Sequence, residues 1–146
     1  MVGGTIDRRS ACGTLLLRLT VGSLFIAHLY WKFGILDGGL MKWWGNFAVA
    51  GYPSIVPWYA ISAEVVGAAL ITAGLFTRWA CLYTIPFMVG AAHFWLVRKG
   101  FFFTAAGAEL PVLWTLLLIV QALLGSGPAS VDGWRAAREQ RRGPAA

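Results

Sequence analysis

Four apolar stretches, each close to the length of a membrane-spanning helix, fill most of the chain and constrain its fold more than any other feature. A helix rises about 1.5 Å per residue, so about 20 apolar residues cross the hydrocarbon core of a bilayer. The stretches run over Thr14–Phe33, Ile55–Phe76, Trp79–Val97 and Glu109–Leu124. This pattern predicts an all-α membrane protein, a bundle of four transmembrane helices.

The composition agrees with a membrane protein and leaves little room for a soluble domain. The chain has 146 residues, of which 58% are hydrophobic and 12% charged, whereas soluble domains are about 25% charged. Arg18 interrupts the first apolar stretch and no convincing cleavage site follows it, so this stretch is interpreted as a retained helix rather than a signal peptide. The predicted organisation is a cytoplasmic N-terminal segment (1–13), a transmembrane domain (14–124) and a basic cytoplasmic tail (125–146).

The distribution of basic residues predicts the orientation in the membrane. Four spans place the N-terminus, the short link at Thr77–Arg78 and the C-terminus on one side. Most of the arginines fall on that side: Arg8, Arg9, Arg18, Arg78, Arg135, Arg138, Arg141 and Arg142. The positive-inside rule then predicts a bacterial inner-membrane protein with both termini in the cytoplasm. Nucleic-acid binding is excluded, because no interleaved aromatic platform accompanies these arginines.

Ionisable residues within the apolar stretches are the candidates for a functional site. An ionised side chain in hydrocarbon costs at least ~2.5–3.5 kcal/mol on insertion scales, so it faces a protein interior or a watery cavity and has a partner. By depth, five candidates fall in the outer half of the bundle: His28, Lys32, Glu64, His93 and Glu109. Glu64 lies near mid-bilayer and is expected to be neutral or paired with His28 or Lys32. Arg18 and Asp132 fall at the inner boundary and are interpreted as a structural pair.

The outer cluster predicts a ligand pocket rather than a metal or hydrolytic site. No Glu-x-x-His pair is present on one helix, and Lys32 beside His28 would repel a cation, so no metal is expected. No hydrolase motif or phosphate loop is found, so no catalytic residue is assigned. Most of the eight tryptophans lie on the same side. An aromatic-walled cavity with His and Glu suits a flat, amphipathic ligand such as a quinone. The alternative is a purely structural ion pair, with the aromatic residues anchoring the outer loop.

Two further features predict local structure, namely the connection Gly34–Ser54 and the glycines of the second stretch. Apolar residues recur at helical spacing within this connection, at Leu40, Trp43, Trp44 and Phe47. They predict a short helix in the membrane interface, and an irregular aromatic loop is the alternative. Gly67 and Gly74 are expected to let neighbouring helices approach closely.

A series of short motifs recurs in a fixed order over about Leu15–Asp132. They are Leu16–Gly22, His28 followed by Lys32–Gly34, Gly51–Pro53, Ala63–Gly67, Ala73–Arg78, Gly107–Leu110 and Gly125–Asp132. Their order resembles the DoxX family of small four-helix membrane proteins. Leu29 departs from the family pattern, in which a glycine commonly follows the histidine.

The resemblance implies a membrane subunit associated with oxidoreductases. Related DoxD-type chains belong to an enzyme that passes electrons from thiosulfate to quinone, whereas some distant eukaryotic relatives act as chaperones or cargo receptors. This chain has no haem ligand set or CxxC motif, so it is not expected to carry out electron chemistry alone. The leading hypothesis is a quinone-binding or anchoring subunit with an oxidoreductase partner. A non-catalytic assembly factor and a small transporter are the alternatives, and homo-oligomerisation is left open.

Overall fold

All regular secondary structure in residues 8–142, the part of the chain that the computed structural model describes, is helical. The predicted all-α class is therefore confirmed. Residues 1–7 of the predicted N-terminal segment and 143–146 of the predicted tail lie outside the described residues. The helices are α1 (Arg8–Tyr30), α2 (Gly39–Val49), α3 (Ile55–Val66), α4 (Thr77–Lys99), α5 (Glu109–Leu124) and α6 (Val131–Arg142), with π turns at Trp31–Ile35 and Gly67–Ile71 and a 3₁₀ turn at Phe103–Ala105.

The four predicted apolar helices are present, but they differ in length. Within residues 8–142, two are long and apolar enough to cross a membrane, namely α1 with its π turn (Arg8–Ile35) and α4. The other two are apolar but shorter, namely α3 with its π turn (Ile55–Ile71) and α5. Helix α1 begins at Arg8, well before the predicted boundary at Thr14. The expectation of four spans of similar length is therefore replaced by two long and two short apolar helices.

The second apolar helix ends earlier than predicted because the chain reverses direction before α4. Gly74 and Phe76 both have left-handed backbones, with φ of +71° and +48°. Glycine is suited to such a position because it has no Cβ. A Cβ at Gly74 would also overlap the Arg18 guanidinium, so the predicted close approach at this glycine is confirmed.

The core forms where α1 meets α3, α4 and α5. Helices α4 and α5 pack together extensively, while α1 packs against α3, the following π turn and α5. A Cβ at Gly67 would lie only 2.5 Å from Cδ2 of Phe25, so this glycine permits the close approach of α1 and α3, as predicted. The buried core cluster consists of Val21, Phe25, Ile71, Ala80, Cys81, Met88 and Leu118.

Contacts between connections define two ends of the bundle. At the basal end, Asp132 N donates a hydrogen bond to the Gly74 carbonyl at 3.1 Å, and Arg18 donates one to the Ala129 carbonyl at 2.5 Å. These bonds join α1, the turn before α4 and the link between α5 and α6. At the opposite loop end, the Tyr52 and Phe94 rings lie 6.1 Å apart and join the segment after α2 to the end of α4.

Helix α2 confirms the helix that the spacing of aromatic residues predicts, and its position in the membrane interface stays a prediction. Met41 and Val49 on its other faces are 80% and 91% exposed, and the irregular-loop alternative is wrong. The four residues of the predicted apolar face are all half-buried: Leu40, Trp43, Trp44 and Phe47.

Candidate functional site

A buried ion pair between Lys32 and Glu64 forms the centre of the candidate site. Lys32 Nζ lies 2.5 Å from Oε1 and 2.6 Å from Oε2 of Glu64. The side chains are only 3% and 1% exposed. Charge-assisted bonds of this kind are stronger than neutral ones. The expectation that Glu64 pairs with a cation therefore agrees with this geometry.

Each residue of the pair lies in or next to a π turn. Lys32 lies within the first, where Leu36 N donates to the Trp31 carbonyl at 2.8 Å. Glu64 lies one turn before the second, which begins at Gly67. Lys32 follows the buried Phe25 by two helical turns, so it remains on the buried face of α1. Such π turns occur frequently at functional sites in proteins.

His28 lies beside the pair on the open side of the site. Its ring is 54% exposed, and Nδ1 is 4.0 Å from Glu64 Oε1. The ring packs against Trp114 of α5, with centroids 4.7 Å apart. Trp114 in turn meets the Phe25 ring edge-on at 5.3 Å. His28 therefore connects the buried carboxylate with the exterior, and α5 supplies an aromatic wall.

The tryptophans complete a site that the titratable residues alone did not define. Lys32 Nζ lies 4.8 Å from the ring centroid of Trp43, so α2 covers the ammonium group. The lopsided distribution of tryptophans places Trp43 and Trp114 near this end, but it does not indicate which of them touch the cluster. We call the assembly of His28, Lys32, Trp43, Glu64 and Trp114 the paired-charge site.

His93 and Glu109 are not brought into the paired-charge site. His93 is exposed and makes no hydrogen bond or ion pair within residues 8–142. It follows Met88, on the buried face of α4, by five residues and thus points about 140° away. Glu109 instead accepts a hydrogen bond from Phe103 N at 2.9 Å and fastens the preceding loop to α5. The predicted convergence of all four apolar helices is corrected to α1, α3 and α5, with α2 above them.

Arg18 and Asp132 lie near each other at the basal end, but the predicted direct pair is replaced by a different arrangement. Arg18 is 3% exposed, and its Nη2 bonds to the Ala129 carbonyl while Asp132 attracts its charge from further away. Asp132 lies in the first turn of α6, where a carboxylate is stabilised by the helix dipole. This cluster fastens α6 to the bundle.

The chemistry that the paired-charge site supports is hydrogen bonding and proton transfer. Residues 8–142 contain no group of three or more His, Cys, Asp or Glu residues that could hold a metal ion. His28 can donate or accept through either ring nitrogen. Oε1 of Glu64 is 4.0 Å from His28 Nδ1, so a small movement would bring the two atoms within hydrogen-bonding distance. Lys32 holds Glu64 in place. A ligand at His28 would therefore meet an aromatic face and a hydrogen-bonding group backed by a carboxylate.

These features define a helical membrane protein with a buried ion pair between its first two apolar helices. Comparison with known proteins gives a match to the DoxX family over residues 13–99. The chain belongs to the DoxX family of membrane proteins.

Two relatives align with most of the chain. One is an uncharacterized protein of Haemophilus influenzae, 35% identical over 120 residues that cover 80% of this chain and 85% of the relative. The other is a Bacillus subtilis protein named "Putative oxidoreductase CatD", 30% identical over 120 residues that cover 82% of this chain and 84% of the relative. No solved structure was found to match the chain.

Proposed function

We propose that this protein is a quinone-binding or anchoring subunit of a membrane-associated oxidoreductase system. The observation that carries the proposal is the half-exposed His28, packed on Trp114 and backed by the buried Lys32–Glu64 pair. The name of the Bacillus subtilis relative supports an oxidoreductase context.

The residues of the paired-charge site suit the chemical features of a quinone. The exposed side of His28 offers an N–H donor for a carbonyl oxygen, and the Trp114 ring offers a flat apolar surface. A bound quinone would supply the electron-accepting chemistry. His28 would supply a proton to the ligand's oxygen, and Glu64 would stabilise the charged imidazole that takes part in that transfer. Lys32 keeps the Glu64 carboxylate in place for this role.

Exchanging His28 tests the ligand role without disturbing the ion pair. We expect His28→Ala to reduce the quinone retained by the purified protein about tenfold, because one hydrogen bond and one ring contact are lost. Thermal stability should change little, since Lys32 and Glu64 remain paired. The measurement is mass spectrometry of lipids extracted from protein purified in mild detergent.

His93→Ala is the matched control, because His93 lies in the same half of the bundle and outside the paired-charge site. It should retain quinone at the wild-type level. Equal retention by wild type and both variants would contradict the quinone proposal, as would equal losses in the two variants.

We further propose that all four apolar helices cross the inner membrane, with the basal end in the cytoplasm. The basal contacts hold α1, the turn before α4 and the α5–α6 link at one end, and most arginines lie there. A fluorescent protein that matures only in the cytoplasm should therefore be active at either terminus. An epitope inserted at Gly38, at the loop end, should be accessible from outside intact spheroplasts. Inactivity of one terminal fusion would contradict the four-span topology.

A non-catalytic assembly factor is the second candidate, and the geometry of the ion pair favours it. Lys32 and Glu64 satisfy each other at 2.5 and 2.6 Å, as a pair that only fixes the bundle would do. This function predicts a stable protein partner in the purified material, no bound quinone, and no effect of His28→Ala on partner recovery.

A further inference from the structure

A cavity of about 220 Å³ opens at the basal end, far from the paired-charge site. It lies at the N-terminus of α4, a helix of 23 residues, and between the turn that precedes this helix and the link to α6. The lining residues are Phe76, Thr77, Arg78, Trp79, Gly125, Ser126 and Asp132.

The α4 N-terminus presents hydrogen-bond donors to this cavity. The first helical bond runs from Ala80 N to the Phe76 carbonyl, so the amides of Thr77, Arg78 and Trp79 precede it. Phe76 stands at the capping position and makes no capping bond through its side chain. Uncapped amides at a helix start, together with the helix dipole, favour an anion.

Thr77 provides an independent indication of a ligand. It lines the cavity and is only 1% exposed. Its hydroxyl has no hydrogen-bond partner within the described residues. Buried hydroxyls in native proteins are normally paired, so this one lacks an acceptor that a bound group could supply.

The charges around the cavity also favour a singly charged anion. Arg78 is exposed on the cavity wall and forms no ion pair in the part of the chain that the structure describes. Asp132 is the acidic residue of the lining, and the positive charge of Arg18 offsets part of its charge. Arg135 of α6 lies over the Phe76 ring at 6.0 Å and adds positive charge at the rim.

The rim indicates which molecule carries the anion. The side chains of Phe76 and Trp79 are 56% and 72% exposed, at the end of a helix long enough to cross a bilayer. Aromatic residues at this depth are typical of contact with lipid headgroups and upper acyl chains. A free phosphate ion would leave these rings unused.

We propose that the basal cavity binds the phosphate group of a phospholipid, held by Arg78, the Thr77 hydroxyl and the first amides of α4. The glycerol and upper acyl chains then lie against Phe76 and Trp79. This site is independent of the quinone proposal, because it lies at the opposite end of the bundle and uses different residues.

The test measures phosphatidylglycerol bound to the full-length, delipidated protein in detergent by native mass spectrometry. Arg78→Gln should reduce binding about fivefold to tenfold, as loss of a charge-assisted contact predicts. Thr77→Val keeps the side-chain shape and removes only the hydroxyl, so it should weaken binding in the same direction and provides a second test if Arg78→Gln does not fold.

Arg98→Gln is the matched control, since Arg98 is also exposed and lies at the other end of α4. It should bind like the wild type. Equal losses with Arg78→Gln and Arg98→Gln would show unspecific charge attraction and overturn the proposal, as would wild-type binding by both Arg78→Gln and Thr77→Val. Competition by inorganic phosphate at the same concentration as phosphatidylglycerol would overturn the lipid assignment, whereas failure to compete supports it.

Discussion

Glu64→Gln is expected to lower the free energy of unfolding by about 3–5 kcal/mol, the range for removing one partner of a buried ion pair. The substitution keeps the shape of the side chain but leaves the Lys32 ammonium, 3% exposed, without a counter-charge. The covering ring of Trp43 compensates for only part of this loss. Reversible unfolding of the purified protein in mixed micelles, followed by circular dichroism, measures the effect.

Two controls separate the cost of an unpaired buried charge from a general effect of substitution. The double variant Lys32→Gln with Glu64→Gln removes both charges and should recover most of the lost stability. Asp37→Asn breaks the exposed Lys42–Asp37 pair, whose atoms are 3.7 Å apart, and should leave stability unchanged because exposed pairs contribute little. If the double variant is less stable than Glu64→Gln alone, the pair is not the source of the effect.

Gly67→Ala is the second substitution with a large expected effect, about 1–3 kcal/mol of destabilisation from overpacking. The new Cβ would lie 2.5–2.8 Å from three ring atoms of Phe25. Phe25 is fully buried, so its ring has no open space to move into. The same unfolding measurement detects the loss.

Gly90→Ala is the appropriate control because a Cβ at Gly90 would meet nothing within 4 Å. Gly90 lies in α4, and we expect its substitution to be neutral or slightly stabilising, since alanine favours helix more than glycine does.

The Phe25 ring touches Trp114, which touches His28. Gly67→Ala should therefore also change the contribution of Trp114 to the fluorescence, measured as the difference from the same protein carrying Trp114→Phe. An unchanged contribution would argue against coupling between this packing contact and the site.

The helical class and the pairing of Glu64 could be predicted because each depends on local composition and depth. Runs of apolar residues indicate membrane helices, and a mid-bilayer carboxylate is either neutral or paired with a cation within reach. Lys32 and His28 were the nearest such groups on α1. The spacing of aromatic residues in α2 was likewise enough to predict a helix, because it places them on a single helical face.

Which face of each helix turns toward its neighbours was harder to predict. His93 and Glu109 have suitable depths, but depth does not specify orientation around the helix axis. The outward position of His93 follows from which face of α4 packs on α5, a tertiary property. The π turns after α1 and α3 were not predicted either, and no residue at Trp31–Ile35 signals one. Arg18 bonds to a carbonyl because the link after α5 folds back over it.

The Lys32–Glu64 pair has a consequence for the response of the protein to membrane voltage. Its two charges cancel over less than 3 Å, so the transmembrane potential exerts almost no net force on them. A proton taken up from outside and delivered to Glu64 through His28 would neutralise the carboxylate and leave the Lys32 ammonium as an uncompensated cation inside the field. The energy of a full unit charge moved across the membrane changes by about 2.3 kcal/mol per 100 mV. Protonation of this carboxylate would therefore convert an electrically silent core into a voltage-sensitive one.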